Sequence, residues 1–232
     1  MNDTTPTALI AGASRGLGLA LAAELAARDW RVIATVRGDP PKVLLTLAAE
    51  HTDRVEIERL DITQADSIAG LAQRLDGRTL DLVLANAGIT NRDVNAALTD
   101  VPDEEYSRMM LTNALGPCRL LEALERLVPR GGVLAAMSSI LGSLGENRAG
   151  IWPAYASSKA ALNMLLHGFH DRHGEGRAVI AMAPGWVRTD MGGPAADLSI
   201  AESIPRVADV LIGARGGRGL AYLNYDGRRV GW

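Results

Sequence analysis

Short apolar runs alternate with longer helix-forming segments along almost the whole chain, and this alternation limits the fold more than any other feature of the sequence. A strand followed by a helix and a second strand folds most simply as a βαβ unit, in which the two strands are parallel. The run Val133–Met137 is apolar at every position, as expected for a strand that is covered on both faces. The sequence therefore predicts an α/β fold in which one parallel sheet lies between two layers of helices.

The predicted elements follow this alternation from one end of the sequence to the other. Strands are predicted over Thr7–Ala11, Arg31–Val36, Val55–Leu60, Leu80–Ala85, Gly132–Met137, Ala178–Met182 and Leu220–Leu223. Helices are predicted over Gly16–Arg28, Lys42–Glu50, Ala65–Leu75, Asp103–Leu127, Pro153–His173 and Ala201–Ile212. There is no internal repeat and no proline- or serine-rich linker, so we expect residues 1–232 to form a single domain.

Composition and charge argue against several classes of function. The net charge is -3 and the basic residues do not gather in one stretch, which argues against nucleic acid and anionic membrane partners. Cys118 is the only cysteine, so an intrachain disulfide and a C-x-x-C motif are excluded. Residues Met1–Pro6 lack the layout of a signal peptide, and no apolar run approaches the roughly 20 residues that span a bilayer. We therefore expect a cytoplasmic protein.

A glycine-rich turn directly follows the first predicted strand. Gly12, Gly16 and Gly18 stand at the spacing G-x-x-x-G-x-G, and a helical run begins within the motif. Glycines at such a turn let the backbone approach a pyrophosphate, while the helix N-terminus stabilises its negative charge. A tight strand-to-helix connection without a ligand is the alternative, because the commoner spacing is G-x-G-x-x-G. The turn favours a dinucleotide ligand and a Rossmann-type, doubly wound sheet of about seven strands.

The end of the second strand indicates which dinucleotide is bound. A carboxylate at that position bonds a free ribose 2′-hydroxyl, whereas an arginine accommodates a 2′-phosphate. Arg37 follows this strand directly and Arg15 lies in the glycine turn, so two guanidinium groups are available for a phosphate. The pair favours NADP(H) over NAD(H). Two alternatives stay open: both arginines are solvated loop residues, or Asp39 reaches the ribose instead.

Tyr155, Lys159 and Ser139 form the candidate catalytic group. Tyr155 and Lys159 are four residues apart in a predicted helix and therefore share a face. An ammonium group near a phenol favours the phenolate, so we expect Lys159 to lower the pKa of Tyr155 towards neutral pH. Ser139 follows a predicted strand, where its hydroxyl can bond a substrate carbonyl oxygen. The three residues predict acid–base chemistry on a carbonyl or an alcohol.

These motifs, in this order, resemble the classical short-chain dehydrogenases/reductases from about Thr7 to Gly227. The resemblance implies catalytic roles for Ser139, Tyr155 and Lys159, and for Asn113, which in the family holds the lysine through a water. It implies cofactor contacts from the glycine turn and from the N-A-G motif, which is Asn86–Gly88 here. It also implies contacts from a turn that touches nicotinamide, Pro184–Thr189, and from single residues elsewhere. These positions are Gly12, Ser14, Arg15, Gly16, Leu17, Gly18, Arg37, Asp61, Ile62, Asn86, Ala87, Gly88, Tyr155, Lys159, Pro184, Gly185, Val187 and Thr189.

The resemblance also implies the reaction, in which a hydride passes between nicotinamide and a carbonyl carbon while Tyr155 protonates the oxygen. Six residues are expected to line the substrate pocket: Ile89, Leu141, Ser143, Trp152, Trp186 and Met191. Most of them are apolar, which favours an uncharged ketone or aldehyde, or the corresponding secondary alcohol.

The sequence departs from the family pattern at three places. Ser139 precedes Tyr155 by sixteen residues, about three more than is typical, so its choice over Ser138 rests on the S-x-x-G match ending at Gly142. Ala11 replaces the usual threonine, so one hydrogen bond from the glycine turn to the N-A-G segment is expected to be absent. The segment between Asp190 and Pro205 is short, which leaves a small lid over the substrate. The longer loop and the short segment resemble the carbonyl reductase branch that includes sniffer and the C-factor-like proteins.

Other functions and states of assembly remain open at the level of sequence. A nucleotide-binding regulatory protein with incidental turnover has the same motifs, whereas an epimerase or dehydratase would need an extended C-terminal substrate domain. The resemblance allows a homodimer or homotetramer, although the sniffer-like branch includes monomers. His167, His170 and His173 lie at three-residue spacing near a helix end, where cationic side chains suit the helix dipole, and no metal site is predicted.

Overall fold

The computed structural model describes residues 5–147 and 150–232. Residues 1–4, part of the N-terminal segment that is predicted not to be a signal peptide, lie outside the described residues. The described residues contain one seven-stranded sheet. The strands are β1 (Thr7–Ala11), β2 (Arg31–Val36), β3 (Val55–Arg59), β4 (Leu82–Ala85), β5 (Val133–Met137), β6 (Ala178–Ala183) and β7 (Gly219–Asn224). All neighbours are parallel, in the order β3-β2-β1-β4-β5-β6-β7. The predicted Rossmann-type sheet is confirmed, although β4 begins at Leu82 rather than Leu80.

Helices connect the strands as βαβ units. They are α1 (Gly16–Ala27), α2 (Lys42–Glu50), α3 (Ala65–Arg74), α4 (Asp103–Met110), α5 (Gly116–Leu124), α6 (Pro153–His173) and α7 (Ile200–Gly213). Helix α7 begins with a capping box in which Ser199 and Glu202 bond each other's backbone amides. No helix in the described part of the chain is both long and apolar enough to cross a bilayer.

The prediction of one continuous helix over Asp103–Leu127 is wrong. A π-helical turn at Leu111–Leu115 separates α4 from α5, and a 3₁₀ turn at Glu125–Leu127 follows α5. Pro117 has no backbone N–H, so it cannot complete the α-helical ladder towards the carbonyl four residues earlier. The resulting widened turn contains Asn113.

Both faces of the sheet are buried. Strands β1, β4, β5 and β6 are buried at every position. Alternate strand residues face opposite layers, so Leu9 packs in the core with α3, α5 and α6, while Ile10 packs in the core with α1, α2 and α7. The strand order reverses between β1 and β4, and ligands of such sheets bind at the carboxyl ends of the strands beside that point. The candidate site residues follow these strand ends.

Candidate active site

The glycine turn fits against the N-A-G segment with no room for side chains. Gly12 has a φ of +90°, and a Cβ there would lie 2.9 Å from the Cα of Ala87. A Cβ on Gly18 would lie 2.1 Å from the carbonyl oxygen of Gly12. Asn86 Nδ2 donates to that same oxygen at 2.8 Å. The β1–α1 connection therefore packs directly on the backbone of the N-A-G segment, and its shape requires glycine at both positions.

Thr35 supplies a bond to this turn that no local sequence motif predicts. Its buried Oγ1, on β2, accepts a hydrogen bond from the Gly12 amide at 3.2 Å. The carbonyl of Ala11 accepts from the backbone amides of Asn86 and Ala87 at 3.0 and 2.8 Å. The turn is thus tied to β2 and to the N-A-G segment although residue 11 carries no hydroxyl.

Two loops face each other across the cofactor side of the site. Arg15 Nη1 pairs with Asp190 Oδ2 at 2.8 Å, and both side chains are exposed. A Cβ on Gly16 would lie 4.0 Å from Thr189 Cγ2, so the glycine turn also approaches the loop after β6. In that loop Gly185 has a φ of +82° and Val187 pairs with Leu198.

The remaining predicted cofactor residues lie at nearby strand ends. Asp61 Oδ1 accepts from the amide and hydroxyl of Thr63 at 2.9 and 2.7 Å. Ile62 is buried against the π-helical turn, and its carbonyl oxygen would lie 2.5 Å from a Cβ on Gly116. Ser14 is exposed, whereas Leu17 packs on the α1 core. The Pro184 carbonyl accepts from Ser203 Oγ at 2.7 Å.

Arg37 and Asp39 differ in their surroundings. Asp39 Oδ1 pairs with Arg59 Nη2 at 2.9 Å, which turns the carboxylate to the β3 side. Arg37 is exposed, and its guanidinium has no ion pair with any residue in the described part of the chain. At the end of β2 the guanidinium of Arg37 is available and the carboxylate of Asp39 is paired elsewhere, which suits a phosphate more than a ribose hydroxyl.

Tyr155 and Lys159 lie on the buried face of α6, with 7% and 3% of their surfaces exposed. Lys159 Nζ lies 5.7 Å from the centre of the Tyr155 ring and donates to the Met137 carbonyl at 2.7 Å. That is its one hydrogen bond to the described residues, so two of its three N–H groups remain for a ligand. The end of β5 therefore anchors the lysine next to the phenol.

The two serines after β5 point to different partners. Ser138 is buried and its Oγ donates to Asn163 Oδ1 at 2.7 Å. Ser139 Oγ accepts from the Leu141 amide at 3.2 Å and hydrogen-bonds with the Tyr155 side chain. Gly142 packs on α6 so closely that a Cβ would lie 2.8 Å from Lys159 Cβ. The structure thus brings Ser139, and not Ser138, to Tyr155.

Asn113 holds the loop after β4 from within the π-helical turn. Its Oδ1 accepts from the Ile89 amide at 2.8 Å, and its Nδ2 donates to the Ile89 carbonyl at 2.7 Å and to Ser158 Oγ at 3.0 Å. A Cβ on Gly88 would lie 3.5 Å from both Asn113 Oδ1 and Lys159 Nζ. Widened turns of this kind are frequent at functional sites. The N-A-G segment, Asn113 and Lys159 therefore meet, while the water-mediated link stays a prediction.

Burial dominates the pKa values of the central pair. It raises the pKa of Tyr155, and the hydrogen bond with Ser139 opposes the rise. Burial lowers the pKa of Lys159 to about 8. The sequence predicts that Lys159 lowers the pKa of Tyr155, but in the protein chain alone the loss of hydration outweighs any such effect. The protein chain alone thus keeps Tyr155 protonated, which is the form that donates a proton.

A small apolar cluster adjoins Tyr155. It contains Met109, Ala154, Tyr155, Ile89, Val101, Tyr106, Leu141 and Trp152. Trp152 has φ 51° and ψ 56°, a left-handed conformation that is rare for a tryptophan, and its ring meets that of Tyr155 edge-on at 5.9 Å. Of the predicted pocket residues, Ile89, Leu141 and Trp152 join this cluster. Val101, Tyr106 and Met109 were not predicted, because they come from a separate segment with no motif.

The other three predicted pocket residues lie apart from this cluster. Trp186 and Met191 are exposed in the loop after β6, where Trp186 Nε1 donates to the Gly192 carbonyl at 2.9 Å. Ser143 is buried, and its Oγ donates to the Gly231 carbonyl at 2.6 Å and accepts from the Glu146 amide at 2.9 Å. The first interaction ties the loop to residues 228–232 and the second lies within the loop, so the contacts of Ser143 in the described residues are structural.

Comparison with known proteins gives consistent results. Residues 6–198 match the model of the short chain dehydrogenase family. A protein of Burkholderia multivorans, described as a short-chain dehydrogenase/reductase and solved with bound NADP, is 49% identical with a TM-score of 0.95, over 98% of this chain and 100% of that one. The carbonyl reductase Sniffer of D. melanogaster is 28% identical with a TM-score of 0.84, over 98% and 100%. The C-signal of Myxococcus xanthus is 35% identical over 156 residues, 66% of this chain and 93% of that protein. These similarities confirm the predicted resemblance to the branch that includes sniffer.

Proposed function

The chain belongs to the short chain dehydrogenase family of oxidoreductases, and from this premise we propose that it reduces uncharged ketones or aldehydes with NADPH, and oxidises the corresponding alcohols in reverse. The observation that carries the proposal is the meeting of Tyr155, Lys159 and Ser139 beside an apolar cluster. The proton donor Tyr155, the cation of Lys159 and the hydroxyl of Ser139 are then available beside an apolar surface that suits a carbonyl compound without charge.

The chain's own residues fit a dinucleotide. Gly12 and Gly18 allow a tight turn between β1 and α1, the kind of turn that binds a pyrophosphate at a helix N-terminus, and Lys159 retains two N–H donors for ribose hydroxyls. Arg37 and Arg15 are the groups that would hold a 2′-phosphate, with Arg15 leaving Asp190 or sharing it. When bound, NADPH supplies the hydride that the reduction requires. NADP in the Burkholderia multivorans relative supports this cofactor over NAD(H).

Each catalytic residue has a role that follows from its surroundings. Tyr155 is kept protonated by burial and donates its proton to the substrate oxygen. Ser139 bonds the same oxygen and stabilises the charge that develops there. Lys159, with its pKa near 8, holds a cationic charge next to the phenol and favours the phenolate that proton donation leaves behind. Asn113 keeps the loop after β4 in place beside Lys159.

The apolar cluster supports an uncharged substrate. Trp152, Leu141 and Ile89 surround the ring of Tyr155, and a charged group placed among them would lose its hydration without a partner. The exposed Trp186 and Met191 would meet the part of the substrate that lies farther from Tyr155. The cytoplasmic location and the assembly as a homodimer or homotetramer remain predictions from the sequence.

The first experiment measures cofactor binding and turnover on one sample. Fluorescence titration with NADPH and NADH gives the two affinities, and loss of NADPH absorbance is then followed with a panel of uncharged and charged carbonyl compounds. We expect tight NADPH binding and turnover of the uncharged compounds. Binding without any turnover would instead favour the regulatory protein considered above.

Tyr155→Phe tests the proposed proton donor. The variant keeps the ring, so we expect NADPH affinity to stay within about twofold while kcat falls about 100-fold or more. Full turnover in this variant would show that another group donates the proton.

A further inference from the structure

Tyr222 is a buried tyrosine that no motif of the family accounts for. It lies on β7, 1% of its surface is exposed, and it is paired in register with Ala181 on β6. A buried phenol needs a partner for its hydroxyl. The Tyr222 hydroxyl donates to the backbone carbonyl of Ser139, the residue proposed to bond the substrate oxygen.

Two further buried side chains act on the same short turn. Asn163, on α6, donates from Nδ2 to the Gly142 carbonyl at 3.2 Å, and it accepts from Ser138 Oγ at 2.7 Å. Ser138 and Asn163 also act on the Tyr222 phenol, where they oppose the rise of its pKa that burial causes. Groups from α6 and β7 therefore hold the carbonyls at both ends of the turn Ser139–Gly142.

The loop that follows is tied down from outside. The Tyr222 ring lies 5.1 Å from that of Trp232, and the Gly145 amide donates to the Trp232 carbonyl at 3.3 Å. Arg228 forms a two-point ion pair with Glu146 at 3.1 and 3.2 Å. Tyr222 thus lies between the end of β5 and residues 228–232, which contact the loop that follows Gly142.

We propose that Tyr222 is a positioning residue for the reduction, and that it acts through the backbone of Ser139 to hold the serine hydroxyl in line with Tyr155. The inference rests on the function proposed above. Ser139 Oγ keeps its own bond from the Leu141 amide, so the turn sets where this hydroxyl points, and the clamp from Tyr222 fixes the turn. A hydroxyl held in place stabilises developing charge more than one that must reorient during the reaction.

Tyr222→Phe tests this role, because it removes the hydroxyl and keeps the ring against Trp232. The loss of one buried hydrogen bond predicts a three- to tenfold lower kcat with roughly unchanged KM for NADPH. Because the Ser139 bond lowers the pKa of Tyr155, we also expect the pH profile of alcohol oxidation to move to higher pH.

A double-mutant cycle with Ser139→Ala separates positioning from a general loss of structure. If Tyr222 acts through Ser139, Tyr222→Phe has no further effect on kcat in the Ser139→Ala protein. An equal fold-loss in both backgrounds, or no loss in the wild-type background, would overturn the inference. Should Tyr222→Phe fail to fold, Ser138→Ala, which removes the bond to Asn163, is tested by the same cycle.

Failure of the inference and failure of the proposed function give different results. A wild-type protein that reduces carbonyls and a Tyr155→Phe protein that does not would keep the function, whatever Tyr222→Phe shows. A wild-type protein without turnover would overturn both.

Discussion

At the scale of single residues, the charges after β2 decide how the ribose of the cofactor is held. Asp39 pairs with Arg59 at 2.9 Å, which directs its carboxylate to the β3 side of the strand end. Arg37 is exposed and without an ion pair in the described residues. A charge-assisted bond from a guanidinium to a 2′-phosphate is about twice as strong as a neutral one and has no counterpart in NADH.

Arg37→Ala tests this assignment. We expect the Kd for NADPH to rise about 10- to 100-fold and the Kd for NADH to change little, since a hydrogen bond to a charged group contributes roughly 1.5–3 kcal/mol. Fluorescence titration with both cofactors measures the two constants. Arg218→Ala is the matched control, because this exposed arginine precedes β7 at the opposite edge of the sheet.

The sequence predicts single residues well where a local pattern carries them. Tyr155 and Lys159 share a helical face at four-residue spacing, and the structure brings Tyr155 beside both Lys159 and Ser139. Thr35 and Tyr222 act through contacts with residues 23 and 83 positions away, and no local pattern encodes such distances. These two contacts can be inferred only once the strand order is known.

At the scale of elements, periodicity predicts most strands and helices because both faces of the sheet are covered. Helix α6 extends over Pro153–His173 in the sequence prediction and in the structure alike. The π-helical turn at Leu111–Leu115 was missed, since apolar periodicity continues through it. Pro117 is the one local signal that could have indicated the break.

Gly142 lets the turn Ser139–Gly142 pack closely on α6. The S-x-x-G match therefore has a structural reason. An alanine Cβ would lie 2.8 Å from Lys159 Cβ, a separation that forces the turn away from the helix. We expect Gly142→Ala to lower the free energy of unfolding by about 1–3 kcal/mol and to reduce kcat, because Ser139 moves with the turn. Urea denaturation and turnover measure both effects.

Gly213→Ala is the control for this substitution. Gly213 ends α7 and a Cβ there meets nothing within 4 Å, so alanine should leave the free energy of unfolding unchanged or raise it by up to about 1 kcal/mol. If both substitutions lower the free energy of unfolding equally, the contact with Lys159 is not the cause of the destabilisation by Gly142→Ala.

At the scale of the whole molecule, the buried ammonium of Lys159 links the active site to the free energy of unfolding. Its pKa is lowered by burial from 10.5 to about 8, so between these pH values the unfolded chain binds a proton that the folded chain does not. The free energy of unfolding therefore rises with pH across this window, and the cost of burying the charge is fully present below pH 8. The full difference corresponds to about 3 kcal/mol.

Other buried groups act in the opposite direction, so the prediction concerns a difference between proteins. Burial raises the pKa of Cys118 from 9.0 to about 12 and also raises those of Tyr155 and Tyr222, which lowers stability as the unfolded forms of these groups ionise. We therefore expect the free energy of unfolding of the wild type, minus that of Lys159→Met, to rise by roughly 2–3 kcal/mol between about pH 7.5 and 10.5. Urea denaturation without cofactor at a series of pH values measures this difference.

The matched control is Lys42→Met. It removes the other lysine of the sequence, an exposed residue at the start of α2. The free energy of unfolding of the wild type, minus that of Lys42→Met, should not change with pH. Parallel curves for Lys159→Met would mean that Lys159 keeps its ordinary pKa, and the charged ammonium would then be stabilised in the folded protein without a cofactor.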